Sequence, residues 1–351
     1  MKLNNSWDVM YINEARVKVI EKILPMRYPT ITSWQWQANT FAVLDNYPET
    51  EPWMMSHFIQ LQLTSNPGSS YVDFYRTPTF EFCPWLFHQH LKRETVHYIN
   101  EDICSFFIDA IDRDHYIYGL FDQAYFLPEH GVPHDLFIYG YDLRKKVFYV
   151  ADFTFTGKYS FAKVPFVELE KAYYSIQREH DWLYSGKGGV SLLSFDARAN
   201  YDFRLANVIE QLEGFLSGQN CFEKSRELTY HTQPFVSGLE VYEKLIEDLG
   251  KIRVNEQLPD VRPFHVICDH KTLMLRRIVF LERRGYLEPD SGLVERCREV
   301  ENTALVCRNL LIKYEITQDS RIIDKMISKL RQMIKNEREF IELLLSKLQQ
   351  R

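Results

Sequence analysis

No stretch of about 18 apolar residues interrupts this chain of 351 residues, so no segment reads as a membrane-spanning helix. Cysteine is sparse and scattered. The six thiols (Cys83, Cys104, Cys221, Cys268, Cys297 and Cys307) form no CxxC pair, which argues against a disulfide scaffold or a structural zinc site. The glycines give no strand-to-helix phosphate fingerprint, because Gly188-Gly189 after Lys187 stands alone, and no nucleotide cofactor is expected. Positive charge is also in short supply, with 42 Lys/Arg against 48 Asp/Glu and a formal charge of −6. That balance argues against general nucleic-acid binding, which needs a positive field to displace counterions from phosphates. Met1 to Asp8 lacks the basic-then-apolar pattern of a signal peptide. These absences together predict a cytoplasmic protein with reduced thiols and no metal, cofactor, nucleic-acid or membrane partner.

Aromatic residues are plentiful. With 24 Phe, 21 Tyr and 6 Trp, the chain can offset its ordering entropy by burial and is expected to fold. Its texture changes near residue 196. Residues 1–195 mix aromatic and β-branched runs with short helical stretches, and residues 196–351 carry apolar residues three and four apart almost throughout. The expectation is an α+β domain followed by an all-α region.

In the first part, Val17, Ile20, Ile23 and Leu24 are spaced for a helix over Asn13 to Leu24, stopped by Pro25. Thr32 or Ser33 would cap a second helix through Ala38, Phe41 and Leu44. A further apolar stretch, Trp53 to Leu63, ends at the turn Asn66-Pro67-Gly68. Asn100 would cap a helix with Ile103, Phe107 and Ile111 on one face. Strands follow at His115 to Leu120, with Gln123 to Leu127 as continuation or partner. Further strands are expected after the break at His134, at Val147 to Phe153 and around Gly157 to Ala162, and a helix at Phe166 to Tyr174. Short turns between strands indicate an antiparallel sheet.

The second part reads as helices at Tyr201 to Leu216, Ser237 to Gly250, Phe264 to Arg284, Gly292 to Tyr314 and Ser320 to Leu348. The last two, joined by Glu315 to Asp319, form an αα-hairpin that would close either a monomer core or a homodimer interface. Asp319 or Ser320 would cap the final helix. That helix is basic, with eight Lys/Arg against four Asp/Glu over residues 320–351.

One pair of residues carries the chemistry. His134 opens a strand, and Asp152 lies eighteen residues later in the returning strand, so a turn near Arg144 and Lys145 brings them together. A carboxylate beside an imidazole holds one tautomer and stabilises the imidazolium, as a general base requires, and it is equally a way to satisfy a buried polar group. Other histidines are weaker candidates. His88 and His90 would share one face of a strand, near His97, but no Asp, Glu or Cys completes a metal set. His130 would line the same cleft as His134, and Asp109, Asp112 and Asp114 mark a surface helix exit.

The words around this pair are His134-Asp135-Leu136-Phe137-Ile138-Tyr139-Gly140-Tyr141-Asp142, Phe148-Tyr149-Val150-Ala151-Asp152-Phe153, Tyr159-Ser160-Phe161 and Val167-Glu168-Leu169. They resemble papain-like proteins of the C39-like branch, and most of all the N-terminal domain of the butirosin acyltransferase family from bacterial peptide and polyketide antibiotic clusters. The resemblance spans roughly residues 15–180 in arrangement and is specific over 115–170. It implies a papain-like α+β domain followed by a helical region. It implies His134 and Asp152 as the catalytic pair, and an acyl or peptidyl carrier protein as the partner that delivers a thioester.

The sequence departs from that family at the nucleophile, which there is a cysteine at the start of the first core helix. No cysteine precedes Cys83 here. Ser33 is the best hydroxyl substitute, since a helix N-terminus favours an oxyanion, although a serine in that place also serves as a plain cap. Thr32 is a weaker candidate, and Gln35 and Gln37 are candidate oxyanion donors or packing residues. Cys83 lies only 51 residues before His134, and Cys104 sits in an apolar helix, so both read as core. Two functions remain open: an acyl- or amide-forming enzyme, or a catalytically inactive relative that binds a carrier domain or partner enzyme.

Overall fold

A computed structural model describes residues 19–66, 68–74, 80–129, 131–177, 180–183, 188–219, 235–289 and 291–350. The architecture is mixed, with antiparallel sheets, packed helices and a helical C-terminal portion. The larger sheet runs β4 (Leu86–Leu91), β9 (Val190–Phe195), β5 (His115–Asp122), β6 (Pro133–Asp142), β7 (Val147–Asp152) and β8 (Ser160–Pro165), with every pairing antiparallel. The tight turn at 143–146 makes β6 and β7 a hairpin. Asp142 fixes that turn by accepting from the Arg144 and Lys145 N–H groups at 2.9 and 3.0 Å.

β6 is the central strand. Asp135 through Asp142 are all buried, so both of its faces are covered. Helices α1 (Gln35–Leu44) and α4 (Ile103–Asp112) both pack against it, and α5 (Phe166–Tyr174) packs against β5. Phe107 of α4 meets Phe121, Phe148 and Tyr173 edge-on, tying α4 and α5 to the sheet.

The expectation of a helix over Asn13 to Leu24 fails in its described portion, because Glu21–Ile23 is a strand, β1; residues 13–18 lie outside the described residues. β1 pairs with residues 140–142 of β6, on the flank that β5 leaves after Ile138. Unmet N–H and C=O groups on a central strand outweigh the weak helical preference of so short a run. Gly140 permits this approach. A Cβ there would stand 2.6 Å from the Lys22 carbonyl oxygen and 3.0 Å from the Ile23 Cα.

Other boundaries also move. The stretch Trp53 to Leu63 divides into a short helix α2 (Glu51–Ser56) and a strand β2 (Leu61–Asn66). Gln123–Tyr125 is a 3₁₀ turn capped by Asp122, not a strand. Asp102, not Asn100, caps α4, accepting from Ser105 N at 3.0 Å, and Asn100 instead closes the short helix α3 (Arg93–Ile99). The strand expected around Gly157 to Ala162 begins at Ser160.

A smaller antiparallel sheet joins β2, β3 (Ser69–Phe74) and β10 (Phe235–Ser237), the last arriving from the helical portion. That portion contains α6 (Leu205–Ser217), α7 (Glu240–Arg253), α8 (Arg262–Arg283), α9 (Leu293–Thr317) and α10 (Ser320–Gln349). The α9–α10 hairpin forms as its periodicity dictates, with Asp319 capping α10 through Arg321 N at 3.1 Å. Ile322, Met326, Leu330, Met333, Ile341, Leu344 and Leu348 are buried on its inner face, each worth about 1.5–3 kcal/mol of transfer free energy. Among the described residues no helix is long and apolar enough to cross a membrane.

α8 ties the helices to the N-terminal portion. His270 Nε2 bonds the Ile59 carbonyl at 2.7 Å. Arg277, fully buried, donates to the Met55 and His57 carbonyls at 2.8 and 2.6 Å, where α2 ends and has carbonyls to satisfy. Arg276 reaches Thr30 Oγ1 at 2.8 Å and Asp45 at 3.0 Å.

Candidate active site

His134 stands at the second residue of β6 and Asp152 at the last residue of β7, so the hairpin sets them diagonally across two paired strands. His134 Nδ1 lies 3.3 Å from Asp152 Oδ1. The same nitrogen lies 3.3 Å from Asp135 Oδ1 and 3.0 Å from the Asp135 carbonyl oxygen. Three acceptors therefore surround one ring nitrogen, which places the proton on Nδ1. Nε2 makes no hydrogen bond among the described residues, and a third of the side chain (33%) is open to solvent.

Both carboxylates are fixed from behind. Asp152, fully buried, accepts from the Gln123 amide on Oδ2, from Thr154 Oγ1 at 3.1 Å, and from the Phe153 and Thr154 N–H groups on Oδ1. Asp135 accepts from the Tyr118 hydroxyl on its far oxygen. Each carboxylate thus turns one oxygen towards His134 and has its other oxygen held by neutral donors; the Asp152 oxygen that faces His134 also accepts from two backbone N–H groups. Gln123 and Tyr118 come from the β5 strand and the turn after it. Neither they nor Asp135 stood out in the sequence as site residues. The one available signal was Asp135 itself, an acidic residue opening the apolar run Leu136 to Tyr141.

Electrostatics decide the charge of the imidazole. Burial pushes the His134 pKa down, but the bond to Asp152 and the charges of Asp135 and Asp152 outweigh it and raise it to about 9. Burial in turn raises the Asp135 carboxyl above the usual range. At neutral pH His134 is therefore an imidazolium. The sequence suggested a general base; the surroundings make it a proton donor and a fixed positive charge.

Ser33 is not brought to His134. Its hydroxyl donates to Asp269 Oδ2 of α8 at 2.5 Å, and the Thr32 N–H donates to the same oxygen at 2.7 Å. Neither residue caps α1, whose N-cap is Trp34 with no side-chain capping bond; its indole N–H donates instead to the Val72 carbonyl at 3.1 Å. The expected oxyanion donors are likewise occupied. Gln35 Nε2 bonds the Ala151 carbonyl at 2.9 Å and Asn39 Oδ1 at 3.2 Å, which fastens α1 to the strand one residue before Asp152. Gln37 Nε2 bonds Asp73 at 2.5 Å. Trp34 stacks on Trp36 and Tyr71 at centroid distances of 5.4 and 4.7 Å, forming an aromatic wall beside the start of α1.

No described thiol replaces the hydroxyl. Burial pushes the Cys83, Cys104, Cys268, Cys297 and Cys307 thiols up to about 12, so they remain protonated and unreactive. Cys221 and His130 lie outside the described residues. His88 Nε2 and His90 Nδ1 converge on Ser191 Oγ at 2.7 and 3.4 Å, and no group of three or more metal-binding side chains assembles among the described residues. Asp112 and Asp114 hold β1 through Lys22, at 2.9 Å to the Asp112 carbonyl and 2.7 Å to the Asp114 carboxylate. Compared with known proteins, the chain matches no family model and no curated protein.

Proposed function

We propose that this is a papain-like, C39-like protein of bacterial secondary-metabolite biosynthesis, acting in the cytoplasm. It would transfer an acyl group from a carrier-protein thioester to an amine without a covalent enzyme intermediate. The observation that supports this reading is the part-exposed His134 imidazolium, held through Nδ1 by two buried carboxylates while Nε2 stays free of hydrogen bonds to described residues. A thiol nucleophile is not needed for that chemistry. The incoming neutral amine attacks the thioester carbonyl, forming the C–N bond, and the Nε2–H of His134 stabilises the oxyanion that develops. Collapse breaks the C–S bond. The departing thiolate takes the His134 proton, and the neutral imidazole then recovers a proton from the nitrogen of the new amide. Asp152 and Asp135 hold the ring in place and stabilise its charge.

The test is turnover of an acyl-pantetheine thioester with amines, comparing wild type with His134→Ala and Asp152→Asn. Loss of roughly 10²-fold or more in both variants is expected from removal of a positioned proton donor or its partner. Unchanged turnover in His134→Ala would overturn the proposal.

The occupied Ser33 hydroxyl and the raised thiols favour a second reading, in which the fold binds a carrier domain or partner enzyme and catalyses nothing. In that case no thioester turns over in the wild type, and carrier binding persists in His134→Ala.

A further inference from the structure

We propose that the outer face of α10, from Lys325 to Arg338, docks an acidic carrier domain; this identification of the partner rests on the acyl-transfer reading. α10 buries its apolar stripe against the other helices and leaves Lys325, Lys329, Arg331, Lys335 and Arg338 exposed. Within the same span the one carboxylate is Glu337, which is buried and bonded to Lys271 on the opposite side of the helix. Lys325, Lys329, Arg331 and Arg338 have no ion-pair partner among the described residues, and Lys335 reaches Glu339 only at 4.0 Å. A protein of formal charge −6 thus presents a predominantly basic face along almost four turns of helix, with the exposed carboxylates Asp324 and Glu339 at its two ends.

The face is shaped as well as charged. Arg253, at the end of α7, pairs with Asp324 at 3.2 Å and forms one wall of a cleft of about 540 Å³. Ile327, Ser328, Arg331 and Gln332 complete it. Asp324 lines it too and engages Arg253, so Arg331 beside Ile327 is the group left to meet an acidic side chain or a phosphate carried on an apolar stem. A lipid surface is a poor occupant, because the apolar side of α10 is already spent in the core and none is left to insert. A long nucleic acid would meet the acidic remainder of the molecule. A compact acidic domain touches the basic face alone, and electrostatic steering would speed its arrival.

The test is binding of a purified apo carrier domain, lacking its prosthetic arm, to the full chain at about 50 and about 300 mM salt. Two variants are compared with wild type. One reverses the charges (Lys325→Glu, Lys329→Glu, Arg331→Glu, Arg338→Glu) and the other neutralises the same positions with glutamine. All four positions are exposed, and thermal melting checks that both variants remain folded. The expected result is saturable binding by wild type, weakened about tenfold or more by the higher salt. Binding should weaken further in the glutamine variant and vanish in the reversed one. Equal binding by wild type and the reversed variant overturns the proposal. So does no binding by wild type, or stronger retention of a short RNA or of phosphatidylserine vesicles than of the carrier domain. His134→Ala separates the two readings: if it binds the carrier normally while wild type shows no turnover, catalysis fails and the docking face stands. Normal turnover of a carrier-bound acyl thioester by the reversed variant, with unchanged KM for the carrier, sinks the docking face and leaves the chemistry intact.

Discussion

Ser33 gives its hydroxyl to Asp269 across 236 positions of sequence, and the Thr32 N–H joins it on the same carboxylate oxygen. The loop that leads into α1 is thereby held by a helix from the far end of the chain. Ser33 acts as a tether, and its replacement should be felt as stability, not as chemistry. Ser33→Ala is expected to cost about 1.5–3 kcal/mol, the worth of a hydrogen bond to a charged group. Any thioester turnover should survive. A turnover loss comparable to that of His134→Ala would return Ser33 to the site.

Asp269 also predicts a pH dependence. Burial raises its carboxyl to about 6, although the Ser33 and Thr32 donors and Arg308 work in the opposite direction. A carboxyl raised above its unfolded value keeps its proton longer in the folded state than in the unfolded one. Its contribution to stability is therefore greatest below about pH 4 and is lost as pH rises to about 6, by roughly 3 kcal/mol. Denaturant melts of wild type and Asp269→Asn across that range should show their difference shrinking or reversing as pH rises. A constant difference would mean that the carboxylate is ionised throughout.

His134 predicts a loss in the same direction over a higher window. Its pKa is raised to about 9, so the imidazolium contributes fully below the ordinary histidine value near 6.5, and the contribution is lost as pH rises through about 9. Solvent screening of the exposed part of the ring reduces the effect to about 1–2 kcal/mol. Histidine proton resonances recorded from pH 6 to 10 would report the titration directly. Gln123→Leu, which removes one of the two donors to Asp152 Oδ2 and so loosens the carboxylate's hold on the ring, should lower that midpoint and reduce kcat more than it alters KM. A midpoint near 6.5 in wild type would remove the cationic role.

The His134–Asp152 pair was legible because a single hairpin makes it, and a hairpin announces itself by alternation and a short turn. Asp135, Tyr118 and Gln123 were not, since their roles depend on which strand lies beside β6 and in what register. The α9–α10 hairpin was readable from its long, strictly periodic pattern and the Asp319 cap. β1 misled because three or four apolar residues fit a helix as well as a strand. What decides it is the unpaired edge of β6, more than a hundred residues away. Ser33 misled for a related reason. Its local sequence is that of a cap, and only the distant Asp269 redirects its hydroxyl.

One further pair was invisible in the sequence and gives a sharp test. Lys271 of α8 and Glu337 of α10, both almost fully buried, bond to each other, and Lys271 also donates to the Tyr242 hydroxyl and contacts His270 Nδ1 at 2.9 Å. Burial lowers the Lys271 pKa and the Glu337 charge opposes that shift, so each charge is tolerable because of the other. Lys271→Met leaves a carboxylate stranded in the core and should cost about 3–5 kcal/mol. Adding Glu337→Leu removes the stranded charge, and the double variant should regain most of that loss, because a well-packed apolar pair is often as stable as the ion pair it replaces. Urea melts of wild type, both single variants and the double variant close the cycle. A double variant no more stable than Lys271→Met would show that the two side chains matter for packing or for Tyr242 and His270, and not as a pair of charges.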